Sequence, residues 1–505
     1  MQLTLDRHSR VPLYQQIRHQ IREMILSGRL PPGTRLPAER ALAAALGVNR
    51  TTVVNAYREL QADGLVEAHV GRGTTVCAPG PSSEADEDLD LPLSWSNLLT
   101  SRVRRLHNPL IQEVARLAAR EGIIRLATGV PTPETSPVVD LQQLMRTVVS
   151  RDEAQVLRDS PTEGLESLRE ALASRLAIKG CHVSASRVLI LSGSQQGLDL
   201  VARLLLEPGD VVIVEAPTYL GALRVFRAAG ARLIGVPVDE AGMRVDLLEP
   251  LLARYRPRLI YTIPTFQNPT GVTLSPERRQ RLLSLARRFQ VPILEDDSYG
   301  DLYYDETPPA PLLASDRHEG VLYLGSFSAL LGPGLRLGWL LAPTSIMGAL
   351  TTLKQMADLH PGTLVQVMAL EVLRTGRLDD HLEWARHAYA RRRDAMEQAL
   401  RRHAASELTW EAPQGGFYYW CRLPDGIHAR DLLREAADEG VVFVPGEVFF
   451  PDGGGESFLR LNFSYPTEAE IEEGVRRLAR AIRWLRRRQA AEAVAPISVA
   501  PRPVV

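Results

Sequence analysis

A turn near the middle of the sequence has the residue types of a phosphate site. Residues 192–197, SGSQQG, follow the apolar run VLIL and open a segment with helical spacing. The backbone N–H groups of such a turn, together with the positive end of the following helix, can hold an anion. The turn alone is a weak indication, because structural turns are also rich in Gly and Ser.

Three further segments could hold a flat, ring-shaped ligand. Tyr219 lies just after the next strand-like run, where its ring could stack on such a ligand. Asn268 lies in the Pro–Gly turn FQNPTG. Residues 294–301, LEDDSYGD, end another run with carboxylates, which are suited to pairing with a protonated ring nitrogen.

Groups suited to binding anions follow later in the chain. Ser326, Ser328 and Arg336 lie in GSFSALLGPGLRLGW and could all face a phosphate. Arg460, in FLRLNF, could bind a carboxylate. Each segment by itself is more often structural than functional, but their common position after strand-like runs predicts one coherent site.

The elements around these residues alternate between two patterns. From Trp95 to about Arg488, short β-branched runs alternate with amphipathic segments of helical spacing. This alternation predicts a largely parallel sheet with helices on both faces. Residues 467–488 predict one more amphipathic helix.

The N-terminal segment has a different pattern. A helix is predicted over residues 13–27, and two shorter helices, 37–46 and 49–60, are joined by the turn Gly47-Val48. This is a helix-turn-helix whose second helix begins with polar residues, and residues 65–76 predict two strands around a wing tip. Residues 1–77 carry 10 arginines against 6 acids, which favours DNA over the alternative of a small protein-binding helical domain.

Composition divides the chain into four segments. We predict a DNA-binding domain at 1–77, an acidic, Pro-containing linker at 78–93, a large α/β domain at 94–488 and a disordered tail at 489–505. A length of 505 residues with 45% hydrophobic residues suits several folded units.

Overall composition excludes several classes of protein. The net charge of −1 excludes a protein that coats polyanions along its whole surface. The 3 cysteines are too few for a disulfide scaffold and lack metal-ligand spacing, so no metal is expected. Without a signal-peptide core or an unbroken apolar span, we expect a cytoplasmic protein that does not contact membranes.

The N-terminal segment resembles the winged helix of GntR-type bacterial regulators. The resemblance covers about 65 residues and rests on the helix order, the glycine turn and the wing 65–76. It implies a double-stranded DNA operator as partner, with Arg50 as the best candidate for reading a base. The residues implied to contact DNA are Arg40, Arg50, Thr51, Thr52, Gly71, Arg72 and Gly73.

The large segment resembles fold-type I pyridoxal-phosphate enzymes, particularly aminotransferases of aminoadipate and aromatic amino acids. Joined to a GntR-type winged helix, it resembles the MocR group of regulators, whose large domain is a mostly parallel sheet covered by helices with a smaller C-terminal subdomain. The resemblance implies a homodimer and cofactor contacts from Ser194, Gln195, Ser326, Ser328 and Arg336 (phosphate), Tyr219 (stacking), Asn268 and Tyr299 (ring hydroxyl) and Asp296 (ring nitrogen), with Arg460 for the carboxylate of a substrate or effector.

Two departures from the enzyme pattern bear on activity. Ala329 occupies the position of the lysine that forms the Schiff base and moves the proton in transamination. Of the 59 basic residues only Lys179 and Lys354 are lysines, and neither replaces it by position, although a folded-back Lys354 stays open. Asp159 stands where such enzymes have a tyrosine that reaches the phosphate in the neighbouring subunit. An engineered Lys→Ala change could explain the first departure but not the second.

We therefore expect a DNA-binding transcriptional regulator without transaminase activity. Its large domain is expected to dimerise and to sense a small, amino-acid-like effector or a pyridoxal-phosphate adduct, with the cofactor bound non-covalently at best or absent. Two alternatives remain: an active aminotransferase with a vestigial DNA module, and a scaffold that binds no ligand.

Overall fold

A computed structural model describes the backbone of most of the chain. The described residues are 3–7, 11–69, 73–77, 95–100, 103, 108–131, 141–151 and 156–494. The chain divides into two compact units, Met1–Leu98 and Leu99–Val505. The predicted linker 78–93 lies outside the described residues, and the predicted domain boundaries stay a prediction.

The first unit contains the predicted helix-turn-helix and wing. Gly47 ends the second helix in the left-handed region, with φ 60°, and Asn49 caps the third helix by accepting a hydrogen bond from the Thr51 N–H at 3.0 Å. Together these two residues set the turn between the helices. The elements are α1 Leu13–Leu26, α2 Glu39–Leu46, α3 Arg50–Ala62, β1 Val66–His69, β2 Gly73–Val76 and α4 Trp95–Leu98.

One apolar cluster holds the helices and the wing of this unit together. Ile17 and Ile21 of α1 are fully buried, as are Val53 and Leu60 of α3. The wing strands pair antiparallel with Val66 opposite Val76, and both of these side chains are buried. The winged helix-turn-helix prediction is confirmed, while Gly71 and Arg72 lie outside the described residues.

The second unit alternates helices and strands as predicted. Its helices are α5 Pro109–Ala118, α6 Leu141–Arg151, α7 Glu166–Ile178, α8 Ser194–Leu205, α9 Leu220–Ala228, α10 Leu248–Tyr255, α11 Pro276–Phe289, α12 Leu312–Ser315, α13 Thr344–Asp358, α14 Thr363–Arg374, α15 Arg377–His403, α16 Ala429–Asp438 and α17 Glu468–Val494. Its strands are β3 Ile124–Arg125, β4 Val188–Leu191, β5 Val211–Ala216, β6 Arg232–Asp239, β7 Gly242–Met243, β8 Leu259–Thr262, β9 Ile293–Asp296, β10 Val321–Ser326, β11 Gly338–Leu341, β12 Thr409–Trp410, β13 Tyr418–Arg422, β14 Val441–Val442, β15 Val444–Pro445 and β16 Phe458–Asn462.

An eight-stranded sheet forms the centre of this unit. Its strand order is β4-β11-β10-β9-β8-β5-β6-β7, and the pairs from β10 through β6 are parallel. All four residues are buried in each of β4, β8, β9 and β11, which explains the apolar runs that begin these strands or fill them. In β9 the last two buried residues are carboxylates, Glu295 and Asp296. The carboxyl ends of the parallel strands therefore meet at one edge, as predicted.

A smaller antiparallel sheet carries the C-terminal part of the unit. Its order is β12-β13-β16-β15, with Tyr418 opposite Asn462 and Trp420 opposite Arg460. Directly opposed residues share a face of the sheet, and so do residues two apart on one strand. Arg460 therefore lies on the same face as Trp420 and Tyr418.

The last helix corrects the predicted tail. It was expected to end at residue 488 but runs to Val494, so residues 489–494 are helical. The segment QAAEA at 489–493 consists of good helix formers, which lets the helix continue. Residues 495–505 lie outside the described residues. Within the described part of the chain, no helix combines the length and apolar character needed to cross a membrane.

Candidate functional site

A polar cavity of about 330 Å³ lies at the carboxyl ends of the central strands. Every residue that the sequence assigned to the cofactor lines it, together with Ala329 and Arg460. These residues are Ser194, Gln195, Tyr219, Asn268, Asp296, Tyr299, Ser326, Ser328 and Arg336. Most of them lie at or just after strand ends of the central sheet, and Arg460 comes from the smaller antiparallel sheet, so both sheets contribute to one site.

The turn after β4 forms one end of the cavity. Gly193 has φ 98°, and a Cβ atom added there would lie 2.6 Å from the Arg336 guanidinium. Glycine is therefore required for the guanidinium to pack against the turn at the start of α8. Across the cavity mouth, the Ser328 N–H donates to the Ser326 hydroxyl at 3.1 Å. The helix start, the hydroxyls and the guanidinium form an anion-binding end.

Asp296 provides the negative charge of the cavity. It ends β9 and is 4% exposed. Its Oδ2 accepts from the Tyr261 hydroxyl at 3.0 Å and its Oδ1 from the Ser298 hydroxyl at 2.7 Å. Burial raises the pKa of this carboxyl to about 6, although both hydrogen bonds oppose the rise. A cationic ring nitrogen beside Asp296 would lower this pKa and favour the ionised carboxylate.

Tyr219 lies near both the Asp296 carboxylate and Gln195 of the turn after β4. It precedes α9, and its hydroxyl donates to Gln195 Oε1 at 3.4 Å. Burial, followed by the nearby charge of Asp296, raises its pKa to about 12. The phenol is therefore neutral at physiological pH, and its ring is available for stacking on a flat ligand.

Arg460 also lines the cavity. Its guanidinium lies 4.1 Å from the centre of the Tyr418 ring and 4.9 Å from that of Phe449. One terminal nitrogen donates to Asn268 Oδ1 at 2.9 Å, and the other donates to the Ala127 carbonyl at 3.3 Å. Its buried Nε has no hydrogen-bond partner in the described part of the chain. A buried donor left without a partner indicates a missing acceptor, such as a ligand carboxylate.

Sequence reasoning missed several cavity residues. The Tyr418 hydroxyl is hydrogen-bonded to that of Tyr299 at 3.0 Å, and Ser298 bonds Asp296. Residues 129–131 also line the cavity. The segment FYYW at 417–420, which alternates across β13 beside β16, was the one available signal for Tyr418.

Of the expected DNA contacts, Arg50, Thr51 and Thr52 lie at the start of α3 and Arg40 lies in α2. Arg40, Arg50 and Thr51 are exposed, and Thr52 is half-buried. The Arg50 guanidinium forms an ion pair with Glu39 at 2.9 Å, while its side chain stays 54% exposed. This contact was not predicted, and it holds the guanidinium near the glycine turn.

An arginine outside the wing, which the sequence did not single out, packs against it. A Cβ atom on Gly73 would lie 2.9 Å from Nε of Arg35, so this side chain packs against the start of β2. Its only sequence signal was its place in the basic N-terminal segment.

Comparisons with known proteins agree with this two-part organisation. Residues 13–76 match the gntR family of bacterial regulatory proteins, and residues 121–478 match aminotransferase class I and II. The uncharacterized HTH-type transcriptional regulator YisV of Bacillus subtilis is 38% identical over 484 residues, covering 95% of this chain and 98% of the relative. The probable rhizopine catabolism regulatory protein MocR of Rhizobium meliloti is 29% identical over 446 residues, covering 88% of each.

The chain belongs to the MocR-type regulators of the GntR family. Its aminotransferase-like unit is also similar to the α-aminoadipate aminotransferase LysN of Thermus thermophilus, solved in complex with N-(5'-phosphopyridoxyl)-L-leucine. That similarity has 39% identity and a TM-score of 0.73, and it covers 78% of this chain and 100% of the other. Such aminotransferase-like folds typically bind pyridoxal phosphate.

Both lysines of this MocR-type regulator are held in ion pairs away from the cavity. Lys179 Nζ lies 3.3 Å from Asp297 and 3.1 Å from Asp301. Lys354 Nζ lies 2.5 Å from Asp358. Neither lysine is among the described residues that line the cavity, whereas Ala329 is.

Asp159 is fully exposed and lies 3.5 Å from Nε2 of His360. It is not among the described cavity residues of its own chain, so its expected position near the phosphate of a neighbouring subunit stays a prediction. The described residues also contain no group of three or more His, Cys, Asp or Glu side chains that could hold a metal ion.

Proposed function

We propose that this regulator binds an operator through its winged helix and senses a small ligand in the aminotransferase-like cavity without catalysing transamination. The observation that carries the proposal is Ala329 in the cavity wall, while both lysines are engaged by carboxylates elsewhere. Transamination needs a lysine amine that forms the Schiff base and moves the proton, and the methyl group of alanine can do neither.

The cavity contains the groups needed to bind the phosphate and the ring of pyridoxal phosphate, but not the lysine amine. The phosphate would be held by Ser194, Gln195, Ser326, Ser328 and Arg336, and the ring by Tyr219 and Asp296. The Asn268 Oδ1 is already used by Arg460, which leaves its amide nitrogen, with the Tyr299 hydroxyl, for the ring hydroxyl. When bound, pyridoxal phosphate supplies an aldehyde that condenses with primary amines.

The effector is proposed to be an amino compound with a carboxylate. The unpartnered Nε of Arg460 supports this, because it offers a buried charged donor among the cavity-lining residues. The free effector, or its adduct with pyridoxal phosphate, would fill the space between Arg336 and Arg460.

A direct test follows the fate of added pyridoxal phosphate. We expect its absorbance to change on binding, the ligand to be lost on dialysis, and no label to stay on the protein after borohydride reduction. Amino-group exchange between glutamate and 2-oxo acids should be absent. A pyridoxyl group mapped to Lys354 or Lys179, or measurable exchange, would contradict the proposal, whereas no binding at all would favour the ligand-free scaffold.

The DNA-binding part is tested by Arg50→Ala. Loss of a base-reading arginine should weaken operator binding by about 1–3 kcal/mol and relax sequence preference. Arg58→Ala, on the exposed part of the same helix, is the matched control and should have a smaller effect. A fragment of residues 94–505 that binds operator as tightly as the full chain would refute this assignment.

A further inference from the structure

The two lysines of this chain lie in unusual surroundings for basic residues. The other 57 basic side chains are arginines, so a lysine is retained at only two positions. Lys354 is fully buried, and Lys179 is 22% exposed. Each is in contact with an aspartate that adjoins the cofactor cavity: Asp297 directly follows Asp296, and Asp358 contacts the turn after β4.

Lys354 and Asp358 form a pair at the end of α13. They are four residues apart on the helix, with Nζ 2.5 Å from Asp358 Oδ1. Burial lowers the pKa of Lys354, while its contact with Asp358 opposes this. An arginine could not occupy this place unchanged, because its guanidinium is larger and planar and the side chain has no exposed surface to expand into.

Asp358 connects this pair to the anion-binding end of the cavity. Its Oδ2 accepts a hydrogen bond from the Ser192 hydroxyl at 2.6 Å. The Ser192 N–H in turn donates to Gln196 Oε1 at 2.8 Å, which closes the turn around Gly193. The Arg336 guanidinium lies within 3.5 Å of the Ser192 carbonyl. The Asp358 carboxylate therefore orients Ser192, the residue that both Gln196 and Arg336 contact.

The charge of Asp358 has to be compensated for an anion to bind there. The Asp358 carboxylate is 23% exposed and therefore only partly screened by water. One hydrogen bond away from the turn, its charge would repel a phosphate. Lys354 neutralises it while leaving Oδ2 free to orient Ser192. Removing only the lysine would leave the partly buried charge of Asp358 uncompensated beside the anion site.

We propose that Lys354 and Asp358 are positioning residues of the phosphate turn: Asp358 orients Ser192, and Lys354 cancels the negative charge that would otherwise oppose a bound phosphate. The inference rests on the proposed function, in which this turn holds the phosphate of pyridoxal phosphate. It also assigns a role to a lysine that lies outside the cavity.

The test compares ligands with and without a phosphate on the full chain. We expect Lys354→Met to weaken binding of pyridoxal 5'-phosphate about tenfold or more, and to change binding of pyridoxal less than about twofold. In Lys354→Met/Asp358→Asn the uncompensated charge is gone, and most of the affinity should return. Lys179→Met is the matched control, since it breaks the lysine–aspartate pair beside Asp296 and should affect both ligands by the same factor.

Inorganic phosphate provides a second probe that does not depend on the ring. Millimolar phosphate should raise the melting temperature of the wild type and Lys179→Met but not of Lys354→Met. Equal losses for pyridoxal phosphate and pyridoxal in Lys354→Met, or no loss in either, would overturn the positioning role. If phosphate stabilises the wild type but pyridoxal phosphate does not bind, the cofactor proposal fails while the turn assignment stands; if phosphate has no effect on the wild type, the inference fails with it.

Discussion

At the scale of single residues, the cavity combines a buried carboxylate with a buried cation that are not paired with each other. Asp296 is stabilised by two hydroxyls and Arg460 by two aromatic rings and a carbonyl, and each retains capacity for a ligand. Burying charges this way costs stability in the ligand-free protein. This cost is largest for a group whose pKa is displaced by burial, so it can be measured as a pH-dependent change in stability.

Asp296→Asn should therefore stabilise the ligand-free protein. The folded-state pKa of about 6 lies above the ordinary 3.8, so the stabilising contribution of the protonated form is complete below pH 3.8 and is lost as the pH rises through 6. At pH 8 the amide should raise the free energy of unfolding by about 3 kcal/mol, and at pH 5 by roughly half as much.

Chemical denaturation at the two pH values measures this difference. The same variant should bind pyridoxal phosphate more weakly, because the partner of the ring nitrogen is lost. If the variant were equally destabilised at both pH values, burial would not raise the pKa of Asp296.

Ala329→Lys should restore covalent attachment of pyridoxal phosphate. The side chain at 329 enters the cavity wall, so an amine placed there can reach a ligand held between Tyr219 and Arg336. Borohydride reduction and peptide mapping should locate the label at position 329. Ala329→Met, which adds length without an amine, is the control and should stay unlabelled; label on another residue of the lysine variant would refute this geometry.

At the scale of elements, the orientation of α3 depends on its first turn. The Asn49 side chain caps the helix through the Thr51 N–H, and the same turn carries Arg50, Thr51 and Thr52, which are expected to contact DNA. Asn49→Ala should lower the stability of the N-terminal unit by about 1 kcal/mol, because an orphan N–H loses its acceptor.

Thermal unfolding followed in the full chain checks this expectation, and operator affinity should fall with it. Asn55→Ala, an exposed position in the middle of the same helix, is the matched control and should cost nothing, because alanine has the higher helix propensity. Equal losses in the two variants would show that the cap does not stabilise the helix.

At the scale of the whole molecule, we expect a homodimer formed through residues 94–488. Leu157, Met356 and Leu359 are 82%, 67% and 63% exposed. Asp159 and His360 bring the two segments that carry these side chains together. Exposed apolar side chains that cluster are typical of an interface.

Sedimentation at micromolar concentration should give a dimer for the wild type. Leu359→Asp should shift the population towards monomer, whereas Ile178→Asp, at another exposed apolar residue, should not. A monomeric wild type would refute the assembly, and unchanged sedimentation of Leu359→Asp would exclude this face.

The sequence by itself determined the order of elements and the chemical types of the site residues. Caps, glycine turns and apolar runs are local, so the helix-turn-helix around Gly47 and the strands before Ser194, Tyr219 and Asp296 could be read directly. Since parallel strands end at one edge, the grouping of these residues also followed from the pattern.

Only the tertiary structure decided how distant residues pair. The contact of Arg460 with Asn268, the bond between Tyr299 and Tyr418, and the link from Lys354 through Asp358 to the phosphate turn join elements far apart in the chain. Spacing along the sequence does not encode such pairings, because they depend on how the two sheets and α13 pack. The pKa of Asp296 has the same origin, since burial is a property of the folded chain and not of the residue.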